Sequence, residues 1–446
     1  MKTKTTVLIV GGGPVGLLMA LRLGQAGIDT LIVEKHPSFQ PATRAMVYMP
    51  VVISALTKLG LYEQVRSAAY LNQDGVYWRD TDMKPLARLP LGDPQSSQFN
   101  GVLQLGQWKM SSIISAELKQ HPSVELCFGY GCVGVQEDVD GKGVQVLLQS
   151  KDDPTDTLVH AEYVVGCDGA NSSVRKAMCI PYEGFSYPWK MIGCDVLYDF
   201  PKQEGLTPLN FVVDEIDWAV IAYTGEDEDG KPDFGREKTP LWRVAYIEDS
   251  DLPSGKEDFL SRARERISTS YIKHGDGKFN VIRAEPYTNH QRCAAQARKG
   301  RVLLAGDALH SNNPISGLGL TSGICDAFAY GNALVRVIKD GEDESLLATC
   351  AKSRRDTWLN VTNEMSQGNL NRLRAVDTKG VAMREGFFNK LNSDPSFPAV
   401  IRGGLERILP HTFEAPHPMY MEAQFHPRST NIVDGLSALG MKSQTV

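Results

Sequence analysis

The feature that most narrows the fold is a glycine cluster, Gly11, Gly12, Gly13, Pro14, Val15 and Gly16, set between a β-branched run, Thr5 to Val10, and an apolar stretch, Leu17 to Leu23. Strand, tight turn and helix in that order are what a dinucleotide site requires. Gly11 permits the turn, Gly13 lets the backbone approach a pyrophosphate, and Gly16 lets the helix pack closely on the strand. The phosphates then meet the helix N-terminus, where free N–H groups and the positive end of the dipole converge. A second strand, Thr30 to Val33, ends in Glu34, where an acid is placed to bond a pair of ribose hydroxyls. A carboxylate there repels a 2′-phosphate, so the site is expected to hold the ADP moiety of FAD or NAD and not of NADP.

Glycine turns also serve ordinary strand-to-helix connections, so two further segments carry the choice between FAD and NAD. Val164 and Val165 lead into Gly166, Cys167, Asp168 and Gly169, then Ser172, Ser173 and Arg175. On its own this is a turn whose Asp and Ser side chains cap the next helix. Later, the buried-strand pattern Arg301 to Ala305 delivers Gly306 and Asp307 to a strand end, with Pro314, Gly317 and Gly319 following before a helix. An Asp presented there can accept bonds from a ribityl hydroxyl, and a glycine-rich helix start offers N–H groups to an electron-rich ring edge.

These three segments, in this order and spacing, resemble the class A flavoprotein monooxygenases, the single-component aromatic hydroxylases related to para-hydroxybenzoate hydroxylase. The resemblance covers roughly residues 1 to 375. It implies FAD as cofactor, with Gly11, Gly13, Pro14, Val15, Gly16, Glu34 and Lys35 around its ADP part. Arg44 and Ala45 match the family's Arg-Ala pair beside the diphosphate and ribityl chain, and Gln104 matches a glutamine that touches the flavin chain. Asp168 falls in an Asp-Gly motif that serves both FAD and the reduced nicotinamide. Gly306 and Asp307 match the ribityl-binding turn, and Pro314, Gly317, Leu318, Gly319 and Leu320 match the loop against the isoalloxazine. One departure stands out: the family usually has Asn two residues after the last glycine of this loop, where Leu320 and Thr321 follow Gly319 here. The thioredoxin-like domain of the larger phenol hydroxylases is not expected, since only about seventy residues lie beyond the resemblance, few for a domain of usual size.

The implied fold is α/β (α+β): a Rossmann-like FAD-binding domain with an inserted, mainly β substrate domain and a helical C-terminal region. FAD-binding parts are expected at 1–72, 101–179 and 289–375, substrate-domain strands at 73–100, the β-sheet substrate domain at 180–288, and a helical or irregular region at 376–446. Helices are expected by pattern over Pro50 to Leu61 and Ser111 to Leu118. A β-meander is expected from Val124 to Leu148.

Composition fits a well-packed enzyme and excludes several other classes. The 446 residues are 42% hydrophobic, enough for a sizeable core. A formal net charge of -6 gives no reason to expect nucleic acid or an anionic membrane as partner. The eight cysteines are scattered, without Cys-x-x-Cys or a His cluster at zinc spacing, so no metal is expected and reduced thiols fit a cytoplasmic protein. No apolar run reaches bilayer-spanning length, and the N-terminal apolar stretch is short for a signal peptide.

The resemblance implies a chemistry carried by the cofactor. NADPH or NADH supplies hydride, dioxygen forms a flavin C4a-hydroperoxide, and one oxygen atom passes to a phenolic or polyketide-like aromatic substrate. Epoxidation, Baeyer–Villiger insertion or dearomatisation in secondary metabolism are the alternatives, followed by a non-catalytic flavin-binding module. A flavin-dependent halogenase is disfavoured, because the six tryptophans carry no Trp-x-Trp-x-Ile-Pro signature. Tyr48, Tyr223 and Arg243 are the candidate catalytic residues. Arg243 and Tyr246, three apart on one expected strand, point to opposite faces unless a bulge intervenes. His310 is expected to hydrogen-bond locally beside Asp307 and not to act as a base. A monomer or homodimer is expected.

Overall fold

The structure, a computed structural model, describes residues 1–40, 45–92, 101–150, 156–232, 238–315 and 317–410. Strand β1 (Lys4–Val10) enters the helix Pro14–Gln25 and the chain returns as β2 (Thr30–Glu34). Five short strands follow: β3 (Val47–Tyr48), β4 (Tyr70–Asn72), β5 (Val76–Arg79), β6 (Pro85–Leu89) and β7 (Val102–Gln104). Of these, β3, β7 and β4 form a small antiparallel sheet. After the helix Gln107–Leu118 come β8 (Val124–Phe128), β9 (Tyr130–Glu137), β10 (Val144–Ser150) and β11 (Thr157–Gly166). That helix starts before the expected Ser111, because the Lys109 and Met110 amides already bond to the Gly106 carbonyl. The stretch expected as one helix from Pro50 is instead a 3₁₀ turn, Pro50–Val52, followed by the helix Ile53–Lys58.

The larger β elements follow: β12 (Tyr182–Leu197), β13 (Leu209–Val212), β14 (Ala219–Asp227), β15 (Pro240–Glu248) and β16 (Asn280–Ala294). The last strands are β17 (Arg298–Lys299), β18 (Val302–Leu304) and β19 (His310–Ser311). Two eight-stranded sheets result. In the first, β8, β2, β1, β11 and β18 lie side by side and parallel. Val7 to Val10, Leu31 to Val33, Val164, Val165 and Val302 to Leu304 are buried, as continuous apolar strands covered on both faces must be.

The second sheet runs β19-β16-β12-β15-β14-β13-β5-β6. Its strands alternate, and the alternation divides the molecule's apolar interior in two. Ile192, Cys194, Val196, Val244 and Tyr246 pack beneath the helix Lys256–Arg266. Met191, Phe211, Ala222 and Ala245 point the other way and join the main core around the parallel sheet. This second sheet therefore faces the first unit with one side only.

Beyond the helix Leu318–Lys339, helices Ser345–Thr357, Asn363–Arg374, Thr378–Ser393 and Phe397–Glu406 close the described chain. Phe387 and Phe388 pack on Trp78 of β5, each with ring centroids 5.6 Å away. Arg354 donates to the Ile408 carbonyl at 2.8 Å. The C-terminal region is helical over Thr378–Ser393 and Phe397–Glu406, and the residues from 411 lie outside the described ones.

Candidate active site

The three glycine-bearing segments meet at the carboxyl edge of the parallel sheet. Gly11 N donates to Val33 O at 2.8 Å, Cys167 N to Val10 O at 2.7 Å, and Ala305 N to Gly166 O at 3.0 Å. Glu34, Gly11, Gly166 and Gly306 are thereby lined up at consecutive strand ends, where open α/β sheets bind their ligands. The approach is too close for side chains. A Cβ on Gly11 would lie 2.3 Å from the Cys167 carbonyl oxygen, and one on Gly16 would lie 2.1 Å from the Gly11 oxygen.

Gly13 is the contrast: nothing lies within 4 Å of where its Cβ would stand. It is the N-cap of the helix Pro14–Gln25, has no side-chain cap, and is followed by Pro14 at the first helical turn. The helix therefore presents uncapped N–H groups over open space, which suits a diphosphate. Glu34 Oε2 accepts from Gly12 N at 2.8 Å and its Oε1 from His36 N at 2.9 Å. Each oxygen keeps a second lone-pair site for a hydroxyl. A cavity of about 100 Å³ is lined here by Gly12, Gly13, Glu34, Phe39, Gln107 and Trp108, among others. An open glycine, an uncapped helix start and a fixed carboxylate beside it fit the ADP half of FAD. Lys35 is exposed next to them. Val15 packs against Gly306, joining the first segment to the third.

That third segment is held from behind. Gly306 sits at φ +58 in a 3₁₀ turn that leaves Asp307 exposed toward solvent. Asp326 Oδ2 accepts from Gly306 N at 3.1 Å and lies 2.8 Å from His310 Nε2, and Arg354 Nε donates to its Oδ1 at 2.8 Å. His310 also stacks on Trp358, centroids 5.7 Å apart. Burial by itself would raise the Asp326 carboxyl, yet His310 and Arg354 hold it below the usual carboxylate range. His310 thus meets Asp326 behind the Gly306–Ala308 turn, where a hydrogen-bonding place beside Asp307 was expected. Asp326 and Arg354 escaped sequence reading because they come from helices 20 and 48 residues beyond Gly306.

The loop between Asn313 and the helix Leu318–Lys339 is shaped by its own bonds. Gln291 Oε1 accepts from Asn313 N at 3.1 Å, Asn313 Oδ1 from Ile315 N at 3.2 Å, and Pro314 O from Gly317 N at 3.1 Å. Gly317, at φ +65, would place a Cβ 3.2 Å from the Val47 carbonyl, so the loop lies against β3. Leu318 is buried, while Gly319 and Leu320 are partly exposed. Thr321, which stands two residues after Gly319 where the family usually has Asn, turns its hydroxyl back to Gly317 O at 2.8 Å.

Asp168 makes the capping interactions read from the turn. Its Oδ2 accepts from Ser173 N at 2.6 Å and Val174 N at 3.2 Å, while Ser172 Oγ caps Arg175 N at 2.9 Å. Asp168 Oδ1 is buried with no hydrogen-bond partner among the described residues. Arg175 bridges this segment to the third by donating to Ala308 O at 2.9 Å, and it stacks on Tyr182 at 3.7 Å. Tyr182 Oη in turn reaches Asp307 O at 3.0 Å and Ser311 Oγ at 2.7 Å.

Two sequence expectations change on the sheet side, those for Tyr223 and Gln104. Tyr223 does not share a pocket with Arg243. Register pairs Tyr223 with Trp242 and Ala222 with Arg243, so alternation sends Tyr223 into the distal core and Arg243 toward the parallel-sheet unit. Tyr223 is fully buried between Tyr70 and Trp242, at centroid distances of 5.2 and 5.5 Å. Arg243 Nη2 lies 3.1 Å from Asp195 Oδ1, and Arg283 Nε donates to Asp195 Oδ2 at 2.8 Å. Tyr246 is on the distal face, opposite Arg243, as its spacing requires.

Gln104 is likewise turned away from the cleft. Its Nε2 donates to Tyr223 O at 2.8 Å and Pro208 O at 3.1 Å, tying the small sheet to the second. Gln107 lines the dinucleotide cavity instead and accepts from Ala45 N at 3.4 Å. Its place at the first position of a helix after Gly106 was the signal that could have found it. Arg44 lies outside the described residues. Tyr48, on β3 next to the Val47 that meets Gly317, is buried with its hydroxyl unpartnered among the described residues, and burial pushes that hydroxyl well up.

Comparison with known proteins agrees with this geometry. A family model described as FAD binding domain matches residues 4–364. Para-nitrophenol 4-monooxygenase of Pseudomonas sp. (strain WBC-3) is 32% identical over 400 residues, 88% of this chain and 93% of that protein. The 6-hydroxy-3-succinoylpyridine 3-monooxygenase of Pseudomonas putida (strain DSM 28022 / S16) is 32% identical over 377 residues, 84% of this chain and 90% of that one. The crystal structure of p-nitrophenol 4-monooxygenase from Pseudomonas putida DLL-E4 superposes with a TM-score of 0.82 at 31% identity, over 92% of this chain and 99% of that one. The chain belongs to the FAD-binding family of flavin-dependent aromatic monooxygenases.

Proposed function

We propose that this FAD-dependent monooxygenase hydroxylates a small phenolic ring, using dioxygen and NADPH or NADH. The observation that carries the reading is the alignment of Gly13, Glu34 and Asp307 along one sheet edge, opposite the single face of the second sheet that bears Arg243. The relatives at 32% identity are named for a nitrophenol and a hydroxylated pyridine, which favours a one-ring substrate over a polyketide scaffold.

FAD, when bound, accepts hydride from the nicotinamide and activates dioxygen for transfer of one oxygen atom. The helix start at Gly13 would take its diphosphate, Glu34 its ribose, Asp307 its ribityl hydroxyls, and the backbone from Pro314 to Leu320 its ring edge. Asp168, through its buried unpartnered oxygen, would serve the flavin or the nicotinamide. Asp195 holds Arg243 in place on the sheet, and Arg243 and Tyr48 are the proposed catalytic groups that orient the ring and its hydroxyl. The apolar face around Met191 and Ala245 would keep water from the reacting atoms. Among the described residues no helix is long and apolar enough to cross a membrane, and we place the enzyme in the cytoplasm as a monomer or homodimer.

The test is NADPH and dioxygen consumption by the FAD-loaded enzyme over a panel of phenols, with product mass followed together. Product heavier by about sixteen mass units, coupled to NADPH loss, is expected for transfer of a single oxygen atom. Purified protein that neither retains nor binds FAD overturns the reading.

A further inference from the structure

One cationic side chain near the flavin loop lacks the carboxylate partner that several other arginines of the chain have. Arg354 is paired with Asp326, and Arg243 and Arg283 with Asp195. Arg374, the last residue of the helix Asn363–Arg374, has no carboxylate within salt-bridge reach among the described residues, and its Nε is buried without an acceptor. A helix C-terminus is a favourable place for a cation, but no described carbonyl takes a bond from it. Its guanidinium instead lies over the Trp189 ring, 5.9 Å from the centroid.

The surroundings of Arg374 are built for a flat ring. Trp189 stacks on Tyr187 with centroids 4.7 Å apart and planes 26° from parallel, and Trp218 meets Trp189 edge-on at 6.1 Å. Tyr187 and Trp189 occupy the irregularity in the β12–β16 ladder between Ser186 and Lys190, where register is lost. Such bulges re-aim side chains and recur beside active sites. Both side chains pack on the main-core side. The Tyr187 hydroxyl lies close to the Asn313 side chain and to Arg374, and Asn313 immediately precedes Pro314 of the flavin loop. A half-buried guanidinium without a counter-ion costs desolvation that a bound anion would offset.

We propose that Arg374 recognises an anionic oxygen substituent on the aromatic substrate, with the ring resting against Tyr187 and Trp189. The inference rests on the hydroxylase reading above and adds to it the charge of the substrate. Arg374 is a specificity-determining residue, placed to bind and not to react.

The test measures equilibrium binding to the FAD-loaded full chain, by tryptophan quenching and flavin absorbance, with two matched pairs: 3-hydroxybenzoate against 3-hydroxybenzamide, and 4-nitrophenolate against 4-nitroanisole. At least one anion is expected to bind more tightly than its neutral partner. R374Q should weaken that anion roughly ten- to hundredfold, the order of one charge-assisted hydrogen bond, and leave the neutral partner and FAD affinity unchanged. R374K should recover part of the loss. Equal weakening of anion and neutral partner by R374Q, or no charge preference in the parent enzyme, overturns this inference and leaves the hydroxylase reading standing. Failure of every aromatic to bind or to be oxygenated overturns both.

Discussion

The carboxyl edge of the parallel sheet and the inward face of the second sheet both border the candidate site, yet they are made in different ways. At the edge, backbone does the work: bare glycine, an uncapped helix start and main-chain bonds between strand ends, with Glu34 added at one tip. On the sheet face, side chains do it, and their roles are set by which way each residue points. Backbone sites demand particular residue types at fixed spacing, whereas side-chain sites demand only alternation, which many sequences satisfy. The edge should therefore break under the smallest possible change, and the face should tolerate changes that look larger.

The most severe loss is expected from G16A. Adding one carbon at Gly16 drives it to 2.1 Å from the Gly11 carbonyl oxygen, a backbone atom that cannot rotate away. The cost is on the order of 3 kcal/mol or more, typical of strain with no flexible neighbour to absorb it. Thermal unfolding and FAD content after purification measure it. G13A is the sharpening control: its Cβ meets open space, so stability should hold while FAD affinity falls. Equal stability losses in the two variants would contradict the division between packing glycines and the phosphate glycine.

Next in size is D326N, which probes where the edge depends on side chains after all. Asp326 gathers Gly306 N–H, His310 and Arg354 in a fully buried cluster. Removing its charge leaves Arg354 buried and unpaired, costing about 3 kcal/mol. The pH dependence has a definite sign. The folded carboxyl is held below its ordinary value of 3.8, so its stabilisation is fully present above the unfolded value and is lost as pH falls toward the lower folded value. Acid unfolding of the parent should steepen below about pH 4, the unfolded carboxylate range, and D326N should flatten that limb. An unchanged acid limb in D326N would remove Asp326 from the account.

The same contrast explains what could be read from sequence. Gly11, Gly16, Glu34 and Gly306 were legible because tight backbone approaches admit few substitutes, and the structure brings their segments together. Tyr223 and Gln104 were misread because strand-like composition does not reveal which face turns inward. A one-residue difference between Ala222 and Tyr223 decides it. The Tyr187 to Trp189 bulge and the Asp326 cluster depend on register and on contacts across tens of residues, for which one sequence holds no local signal.

A pair of glutamines sharpens the point at intermediate size. Q104L removes the side-chain donor that joins the Tyr223 and Pro208 carbonyls in a buried joint, although Pro208 O keeps the Tyr223 N–H, so it should cost about 1–3 kcal/mol of stability with no change in FAD affinity. Q107L should do the reverse, because Gln107 borders the cavity beside Gly13: FAD dissociation should rise several-fold, the scale of one neutral hydrogen bond, at nearly constant melting temperature. Titrating FAD into the two apoproteins and melting them separates the pair. A rise in the FAD dissociation constant for Q104L alone would restore the original reading of that residue.

The smallest effect is expected from Y223F, set against R243Q on the opposite face of the same sheet. Tyr223 keeps its packing on Tyr70 and Trp242 when only its oxygen is removed, so turnover should stay within about twofold and stability within about 1.5 kcal/mol. R243Q loses a cation on the face turned toward the flavin unit while Arg283 still pairs with Asp195. The fold should therefore survive and kcat/KM should fall by roughly tenfold or more, the weight of one charge-assisted contact. Steady-state kinetics on both variants decide between the faces, since alternation allows only one of these neighbours to reach the substrate. A large kcat loss in Y223F with R243Q near the parent would mean that the distal face of this sheet, beneath the helix Lys256–Arg266, is where the chemistry is felt.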